Sequence, residues 1–188
     1  MMGEDVVSRE NAAAIRGDYP DIDTTGYLPL SKLGVRGAFG GLIDGLQSAE
    51  LADILSDKLG LEIRDKPRMI TVRKLSKLSD GRIHNDSPSK VCTFLVYLND
   101  GWDKSKGGAI RALNGEKDMN DFADEVDPLA GNVFGFTRSG TSWHGHPPFE
   151  GERYVVQTTF LINEEALTRK ENRGGIQFFL KNLNPFAR

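Results

Sequence analysis

The residues of this chain best suited to chemistry are its three histidines and an aspartate close to the first of them. His84 and Asp86 are two positions apart, and His144 and His146 follow much later. Neutral imidazole and carboxylate ligands suit iron(II), and three such ligands on one face leave three coordination positions open. A structural zinc site would be closed, usually by thiolates, and the chain has a single cysteine, Cys92. The pattern therefore predicts an open non-haem iron(II) site.

The geometry of β-strands can bring these side chains to one metal ion. Residues i and i+2 of a strand point to the same side, so His84 and Asp86 can act from one strand end. Arg153 begins the last long strand and shares a face with Gln157 and Thr159. A guanidinium group matches a carboxylate through two parallel hydrogen bonds. We predict that Arg153 binds a carboxylate, with Gln157 beside it, although Gln157 and Thr159 could equally satisfy each other in the core.

A second strand, residues 91–98, carries two hydroxyl groups on one face. Thr93 and Tyr97 point to the same side as Val91, whereas Cys92 points to the opposite side and is predicted to be a small buried hydrophobe. The two hydroxyls can hydrogen-bond the carboxylate that Arg153 binds. The alternative for both residues is packing, the usual role of aromatic and β-branched side chains in strands.

Structural roles are the alternatives for the other candidates. The segment His84–Asp86 could be a polar turn before Pro88, with an Asx turn at the aspartate. Arg153 could form a surface ion pair with Glu150 or Glu152. The combination of all these residues in one chain favours the metal site over the separate structural roles.

The composition excludes several classes of protein. The chain has 188 residues, 38% hydrophobic and 27% charged, which is typical of one soluble globular domain. Its net charge of −3 gives no electrostatic basis for binding nucleic acid or an anionic membrane. The lone Cys92, the absence of a long apolar run and an N-terminus unlike a signal peptide lead us to expect a cytoplasmic protein.

The N-terminal third is predicted to contain helices. Residues 1–30 form a polar arm with a short helix at Asn11–Arg16. The segment Asp44–Gln47 fits a capping box, and apolar residues then recur at helical spacing until Gly60. We expect a helix at about 46–59 that packs one apolar face on a sheet.

From residue 67 the pattern changes to short apolar runs rich in β-branched and aromatic residues. The predicted strands are Met69–Val72, Val91–Leu98, Ala109–Leu113, Val133–Thr137 and Tyr154–Ile162. Helices followed by many strands favour an α+β fold, mainly β, built on an antiparallel sandwich or barrel. The charged segment 114–125 is predicted to be a loop or an edge excursion.

One domain with three parts is predicted. Residues 1–66 form the arm and supporting helix, residues 67–162 form the catalytic core, and residues 163–188 form a C-terminal extension. The extension begins as a charged helix and ends in an apolar tail, Ile176–Leu180 with Phe186, which is predicted to pack on the core rather than against a second subunit.

The order and spacing of these motifs resemble the Fe(II)/2-oxoglutarate-dependent dioxygenases, in particular their prolyl-4-hydroxylase-like branch and the hypoxia-inducible-factor prolyl hydroxylases. The likeness covers roughly residues 67–162. The motifs that carry it are His84-Asn85-Asp86, His144, Arg153, Tyr97-Leu98-Asn99, Trp102-Asp103 and Gly107-Gly108-Ala109-Ile110-Arg111. The resemblance implies a double-stranded β-helix (jelly-roll, cupin-like) core, with iron(II), 2-oxoglutarate and dioxygen as reactants, succinate and CO2 as products, and ascorbate as a candidate reductant.

The resemblance also implies roles for single residues. The spacing to Arg153 favours His144 over His146 as the third metal ligand beside His84 and Asp86. His146 would then face the substrate or support a ligand, or else lie on the surface before a turn. Arg153 would hold the far carboxylate of 2-oxoglutarate, helped by Tyr97. An aspartate at position 86, rather than the small residue of the halogenating branch, implies hydroxylation of an unactivated C–H bond.

The substrate is not determined by these motifs. A prolyl residue in a peptide or protein is the first hypothesis, and a free amino acid or other small metabolite is the alternative. The segment before His84 is basic, with Arg73, Lys74, Lys77 and Arg82. It could favour an acidic substrate, but we interpret it as a solvated loop. Two non-catalytic alternatives are a cupin-like metal-binding protein and a metal-free interaction module.

Overall fold

Nine strands and four α-helices make up the described part of the chain. The computed structural model describes the backbone of residues 1–183 and the side chains of residues 1–176. The helices are α1 (Arg9–Gly17), α2 (Gly37–Gln47), α3 (Ala49–Leu59) and α4 (Glu164–Leu183). The strands are β1 (Met2–Gly3), β2 (Leu28–Pro29), β3 (Arg68–Ser76), β4 (Lys90–Tyr97), β5 (Ile110–Leu113), β6 (Phe122–Val126), β7 (Val133–Thr137), β8 (His144–Gly145) and β9 (Gly151–Leu161). Among residues 1–183, no helix combines the length and apolar character of a membrane-spanning segment.

The strands form two antiparallel sheets. The large sheet has the order β1-β7-β4-β9-β3-β2, and the small sheet has the order β6-β5-β8. Neighbours in the large sheet are distant in sequence, so long-range pairing dominates the fold, and β9 lies between β3 and β4. All five predicted strands are present, Val133–Thr137 with the predicted bounds and the other four with shifted bounds, and the predicted α+β, mainly β architecture is confirmed.

The alternation of side chains along the central strands creates two hydrophobic clusters. On β4, Phe94 and Val96 pack with the helices in the larger cluster, whereas Leu95 and Tyr97 belong to a smaller cluster. The smaller cluster takes residues from both sheets, including Ile110 of β5. The inner face of the large sheet therefore meets the small sheet, and its outer face is covered by the helices.

A β-bulge changes the predicted face of Val91. The pairing of β4 with β9 shifts between Lys90 and Cys92. Val91 consequently packs against the helix-side cluster that contains Cys92, rather than on the face of Thr93. The prediction for Val91 is wrong because one extra residue at a bulge interrupts the two-residue alternation. Lys90 is turned toward the interior by the same irregularity.

The predicted helix at 46–59 is two helices. Ser48 has an extended backbone (φ −65°, ψ 153°) that ends α2, and its Oγ accepts a hydrogen bond from the N–H of Leu51 (3.1 Å) at the start of α3. The predicted capping box at Asp44–Gln47 is wrong, because those residues lie inside α2. Gly60 ends α3, as predicted, and has a left-handed backbone conformation. The short helix predicted at Asn11–Arg16 is confirmed as α1, which is longer than predicted.

Strand β6 occupies part of the segment that was predicted to be irregular. It pairs with β5, and only Val126 of its five residues is buried. Its extended shape comes from hydrogen bonding to a neighbour rather than from an apolar pattern.

At the C-terminus, the predicted charged helix is α4, which begins with Asn163 Oδ1 accepting from the N–H of Ala166 (2.9 Å). The predicted apolar tail lies mostly outside the described side chains.

Candidate metal centre

A cavity of about 190 Å³ lies between the two sheets. The large sheet contributes lining residues from β3, β4, β7 and β9, and the small sheet contributes residues from β5 and β8. The segment before β4 closes one side. The lining includes the site residues predicted from the sequence, apart from Tyr97, together with several that were not predicted. Those not predicted to belong to the site are Tyr27, Arg73, Gly81, Lys90, Leu95, Ile110, Phe136 and Gly145.

Three potential metal ligands meet in this cavity. His84, Asp86 and His144 each offer a ligand atom, and these atoms all lie within 4.8 Å of one another. His84 and Asp86 are not on a regular strand, so the predicted strand-end geometry is wrong. His84 instead forms an isolated antiparallel bridge to His144: the His84 N–H donates to the His144 carbonyl and the His144 N–H donates to the His84 carbonyl, both at 3.0 Å. This backbone bridge holds the two imidazoles together, with ring centroids 4.2 Å apart.

Both of these histidines have a tautomer that suits metal binding. The Nδ1 atom of His84 is 2.9 Å from the Arg82 carbonyl, and the Nδ1 atom of His144 is 2.9 Å from the Ser142 carbonyl. Because a carbonyl can only accept, each Nδ1 carries the proton in the neutral ring and leaves the Nε2 lone pair available. Burial, and then repulsion by His84, lower the pKa of His144 to about 4. His144 is therefore neutral at physiological pH, as a metal ligand must be.

Asp86 is a buried carboxylate held by two neighbours. Its Oδ1 accepts from Lys90 Nζ (2.7 Å) and its Oδ2 accepts from Thr93 Oγ1 (2.8 Å). Desolvation raises the pKa of Asp86, but attraction to Lys90 and His144 and the two hydrogen bonds outweigh it, so the pKa is lowered. Each oxygen keeps a further lone pair for a metal. The role predicted for Thr93, binding of a cosubstrate carboxylate, stays a prediction, since its hydroxyl donates to Asp86 here.

Lys90 is a site residue that the sequence reasoning missed. It lies four positions after Asp86, and its side chain is only 16% exposed. The spacing alone is a weak signal, because a lysine before an apolar strand usually lies in solvent. The bulge at Val91 is what directs Lys90 inward.

Arg153 is buried without a counter-ion. It is 1% exposed, its Nε donates to the Gly108 carbonyl (3.0 Å) and its Nη2 donates to the Tyr97 hydroxyl (3.2 Å). Within the described residues it forms no ion pair, and Glu152 instead accepts from Tyr154 (3.2 Å). The alternative of a surface ion pair for Arg153 is therefore wrong. A buried charge without a partner is unfavourable, so this site is suited to an anionic ligand.

Tyr97 is buried beside this guanidinium group. Desolvation raises the pKa of Tyr97 to about 12, although the charge of Arg153 acts to lower it. The hydroxyl is thus protonated, and it accepts from Arg153 while its own proton is free to donate. The pair can therefore offer several donors to one carboxylate. Gln157 lies further along β9, where its Nε2 is 3.3 Å from Thr159 Oγ1 and 3.4 Å from Thr71 Oγ1.

His146 is buried, so the surface alternative for it is wrong. It is 4% exposed, and its Nδ1 donates to the Pro147 carbonyl (2.8 Å), while its Nε2 has no partner in the described residues. Burial, and then the charge of Arg153, lower its pKa to about 3. Gly81 (φ +78°) lies against the ring, and any Cβ at that position would overlap it. His146 lines the cavity but is not among the three clustered ligands.

Arg73 corrects the interpretation of the basic segment as a solvated loop. It is 7% exposed, its guanidinium group lies 4.2 Å from the centroid of the Tyr27 ring, and it pairs with Asp80 (3.7 Å). It also lines the cavity. Its position on β3, a strand longer than predicted, explains why it faces inward.

The sequence of the core matches a known family. Residues 74–161 match the model of the 2OG-Fe(II) oxygenase superfamily. The matched range contains all seven predicted site residues. Among curated protein sequences, none matches the chain.

Solved structures share the fold. A prolyl-4-hydroxylase from Pseudomonas putida has a TM-score of 0.60 and 19% identity, covering 86% of this chain and 86% of that one. The viral collagen prolyl hydroxylase vCPH from Paramecium Bursaria Chlorella virus-1, in its 2OG complex, has a TM-score of 0.54 and 18% identity. The match covers 85% of this chain and 93% of that one. HygX from Streptomyces hygroscopicus, with iron bound, has a TM-score of 0.58 and 14% identity. The match covers 86% of this chain and 81% of that one. Identities this low establish a likeness of fold.

These findings agree with the clustered ligands and the buried arginine. The predicted double-stranded β-helix core and the predicted dependence on Fe(II) and 2-oxoglutarate are confirmed at the level of the family. The chain is thus an oxygenase rather than a metal-storing cupin or an interaction module. Residues 74–161 carry the sequence pattern of the 2OG-Fe(II) oxygenase superfamily, and the core has the fold of the prolyl-4-hydroxylase-like branch.

Proposed function

We propose that this protein hydroxylates an unactivated C–H bond of its substrate, with His84, Asp86 and His144 as the iron(II) ligands. In the balanced reaction, one oxygen atom of O2 enters the substrate as hydroxyl. The other enters succinate, which forms from 2-oxoglutarate with loss of CO2. The observation that carries the proposal is the arrangement of one cavity, which has two imidazoles and a carboxylate in one part and the counter-ion-free Arg153 in another.

The donor set fits iron(II). Two imidazole nitrogens and one carboxylate form the ligand type associated with non-haem iron oxygenases, with positions left for other ligands. Iron(II), when bound, supplies the redox chemistry that activates dioxygen and couples it to decarboxylation. A zinc-storage role would leave the charge of Arg153 unexplained.

The surrounding residues hold the ligands and exclude water. Lys90 and Thr93 fix the Asp86 carboxylate and keep it ionised. The ring of Phe136 lies against His144, with centroids 4.4 Å apart, and restricts its orientation. Supporting contacts of this kind maintain ligand geometry and affinity. Leu95 and Ile110 add an apolar wall to the cavity, which strengthens electrostatic interactions within it.

Arg153 and Tyr97 would bind the far carboxylate of 2-oxoglutarate. The guanidinium group supplies charge and donors, and the protonated Tyr97 hydroxyl supplies one more donor. This contact would orient the keto-acid end toward the three ligands. The contact of Arg153 with the Gly108 carbonyl keeps the guanidinium group in place before the cosubstrate arrives.

Anaerobic titration with Fe(II) and 2-oxoglutarate tests the proposal. A weak visible charge-transfer band of a chelated keto acid on iron(II) is expected for the wild type. It should be absent in His144→Ala, and Arg153→Ala should need more 2-oxoglutarate to develop it. Arg64→Ala is the matched control, because Arg64 is an exposed arginine paired with Asp53, and neither residue lines the cavity. A folded wild-type protein without the band would exclude the proposed site.

For the substrate, a prolyl residue in a peptide remains the first hypothesis. Its support is the fold shared with two prolyl hydroxylases. A free amino acid or small metabolite is the alternative. Substrate-stimulated formation of succinate, measured with proline-containing peptides and with free amino acids, distinguishes these classes.

A further inference from the structure

A second, larger depression adjoins the cavity. This groove has a volume of about 650 Å³ and shares Tyr27, Lys90 and Gln157 with the inner cavity. Its outer wall is the first half of α4, including Arg169, and its floor comes from β3, β9 and the segment before β4. The volume lies within the usual range for ligand sites, roughly 300–1,000 Å³. A molecule in this groove would therefore adjoin the cavity that contains the proposed metal ligands.

The groove carries an excess of positive charge. Four of its lining residues are cationic, namely Lys90, Arg169, Lys170 and Arg173, and none of its lining residues is acidic. Lys90 is already paired with Asp86. Within the described residues, no carboxylate lies within 4.0 Å of the other three cations. The chain as a whole has a net charge of −3, so this local excess does not reflect a generally basic protein.

The arrangement of the three cations on α4 is unfavourable in the free protein. Arg169 and Arg173 are four positions apart, a spacing at which like charges destabilise a helix. Lys170 donates to Ser87 Oγ (3.0 Å), another lining residue of the groove. Its pKa is lowered by burial and by repulsion from Lys90, Arg173 and Arg169, although Asp86 acts to raise it. An anion in the groove would relieve this repulsion.

We propose that this groove binds the substrate and that the substrate carries a carboxylate or phosphate group held by Arg169, Lys170 and Arg173. The inference rests on the proposed hydroxylase function and names the chemical class of its substrate. Pro29, Met69 and Pro88 give the groove an apolar part as well. The expected ligand therefore combines an apolar body with an anionic group held near α4.

Binding of defined anions can be measured by calorimetry. The protein would be loaded with Zn(II), a redox-inert substitute, and saturated with 2-oxoglutarate so that Arg153 is occupied. The probes are glutarate, inorganic phosphate and a Glu-Pro repeat peptide, with Gln-Pro and Lys-Pro peptides as charge controls. Low ionic strength is used because exposed charges are screened by salt.

Two double variants separate the effect of the groove cations from the effect of the protein's overall charge. Arg169→Gln combined with Arg173→Gln should weaken binding of the anionic probes at least about tenfold. Arg9→Gln combined with Lys58→Gln removes the same charge from exposed positions outside the groove and should leave binding within about twofold of the wild type. Preferential binding of the small anions would identify a free acid as the substrate, and preferential binding of the Glu-Pro peptide would identify an acidic peptide.

Two results would overturn the inference. One is the absence of saturable binding for every anionic probe, and the other is equal binding by the wild type and the groove variant. The iron–2-oxoglutarate absorption band, measured in the same proteins, separates this failure from failure of the proposed function. A normal band without anion binding rejects only the anionic substrate, whereas a missing band in the wild type rejects the hydroxylase itself.

Discussion

Lys90 and Asp86 form a largely buried ion pair, with Nζ and Oδ1 2.7 Å apart, at the centre of the proposed metal site. The side chains are 16% and 6% exposed. Thr93 donates to the other carboxylate oxygen (2.8 Å), so both oxygens of this proposed ligand are held before a metal arrives. The ion pair also joins the groove to the cavity, because Lys90 lines both.

Removing Lys90 should weaken iron binding. In Lys90→Met, Asp86 loses both a charge and a hydrogen bond, and we expect about a 10–100-fold loss of Fe(II) affinity, the usual effect of removing a residue that supports a ligand. Competition with a chelator measures it under anaerobic conditions. Lys77→Met, an exposed lysine in the preceding loop, should bind Fe(II) like the wild type. Equal affinities in both variants would contradict the supporting role of Lys90.

Replacing Arg153 should separate cosubstrate binding from folding. Arg153→Met removes a buried charge without a counter-ion, so the variant without ligand should be about as stable as the wild type or more stable. In the wild type, 2-oxoglutarate should raise the melting temperature because it binds the native state. The Arg153→Met variant should show little or no such increase. Thermal melts with Zn(II), with and without 2-oxoglutarate, measure both effects. An undiminished increase in the variant would exclude Arg153 from the cosubstrate site.

Gly81 should not tolerate a side chain. In Gly81→Ala, the positive φ is unfavourable for alanine, and its Cβ would overlap the His146 ring. We expect a loss of stability of about 1–3 kcal/mol and a displaced His146. Gly45→Ala is the matched control, because Gly45 lies in α2 with open space around it and alanine favours helices. Denaturant unfolding of both variants gives the comparison, and equal stability would contradict the close contact.

Cys92 should make stability depend on pH in the alkaline range. Burial raises the pKa of the thiol from 9.0 to about 12. The folded protein therefore holds the thiol proton more tightly than the unfolded chain does. The stabilisation that the protonated Cys92 thiol provides is complete below pH 9 and is lost as the pH rises toward 12. Cys92→Ala should lose less stability across this window than the wild type. Unfolding at a series of pH values measures the difference, and parallel curves would contradict the assignment.

Ser48 should stabilise the start of α3. Ser48→Ala removes the acceptor for the Leu51 N–H and should reduce stability by about 0.5–2 kcal/mol. Asp44→Ala should change it little, because Asp44 lies inside α2 and is not a cap. Chemical denaturation of the two variants distinguishes the observed helix boundary from the capping box predicted at Asp44.

The sequence by itself determined the residue types of the site and the kind of fold. The spacing of His84 and Asp86, the distal His144 and the strand that contains Arg153 predicted both the chemistry and the family. Apolar runs with two-residue periodicity predicted the central strands, because burial of alternate side chains is a local property of the sequence. The buried face of Tyr97 and the opposite face of Cys92 followed from the same periodicity.

Only the tertiary structure decided how the side chains meet. The bridge between His84 and His144 is a long-range backbone contact that no local pattern indicates. The bulge before Cys92 turns Lys90 inward, and an irregularity of strand pairing is invisible in a periodic pattern. Strand β6 exists because β5 supplies its hydrogen-bonding partner. The charge of the groove likewise depends on the packing of α4 beside β2, two elements distant in the sequence, which brings Arg169 and Arg173 to the groove.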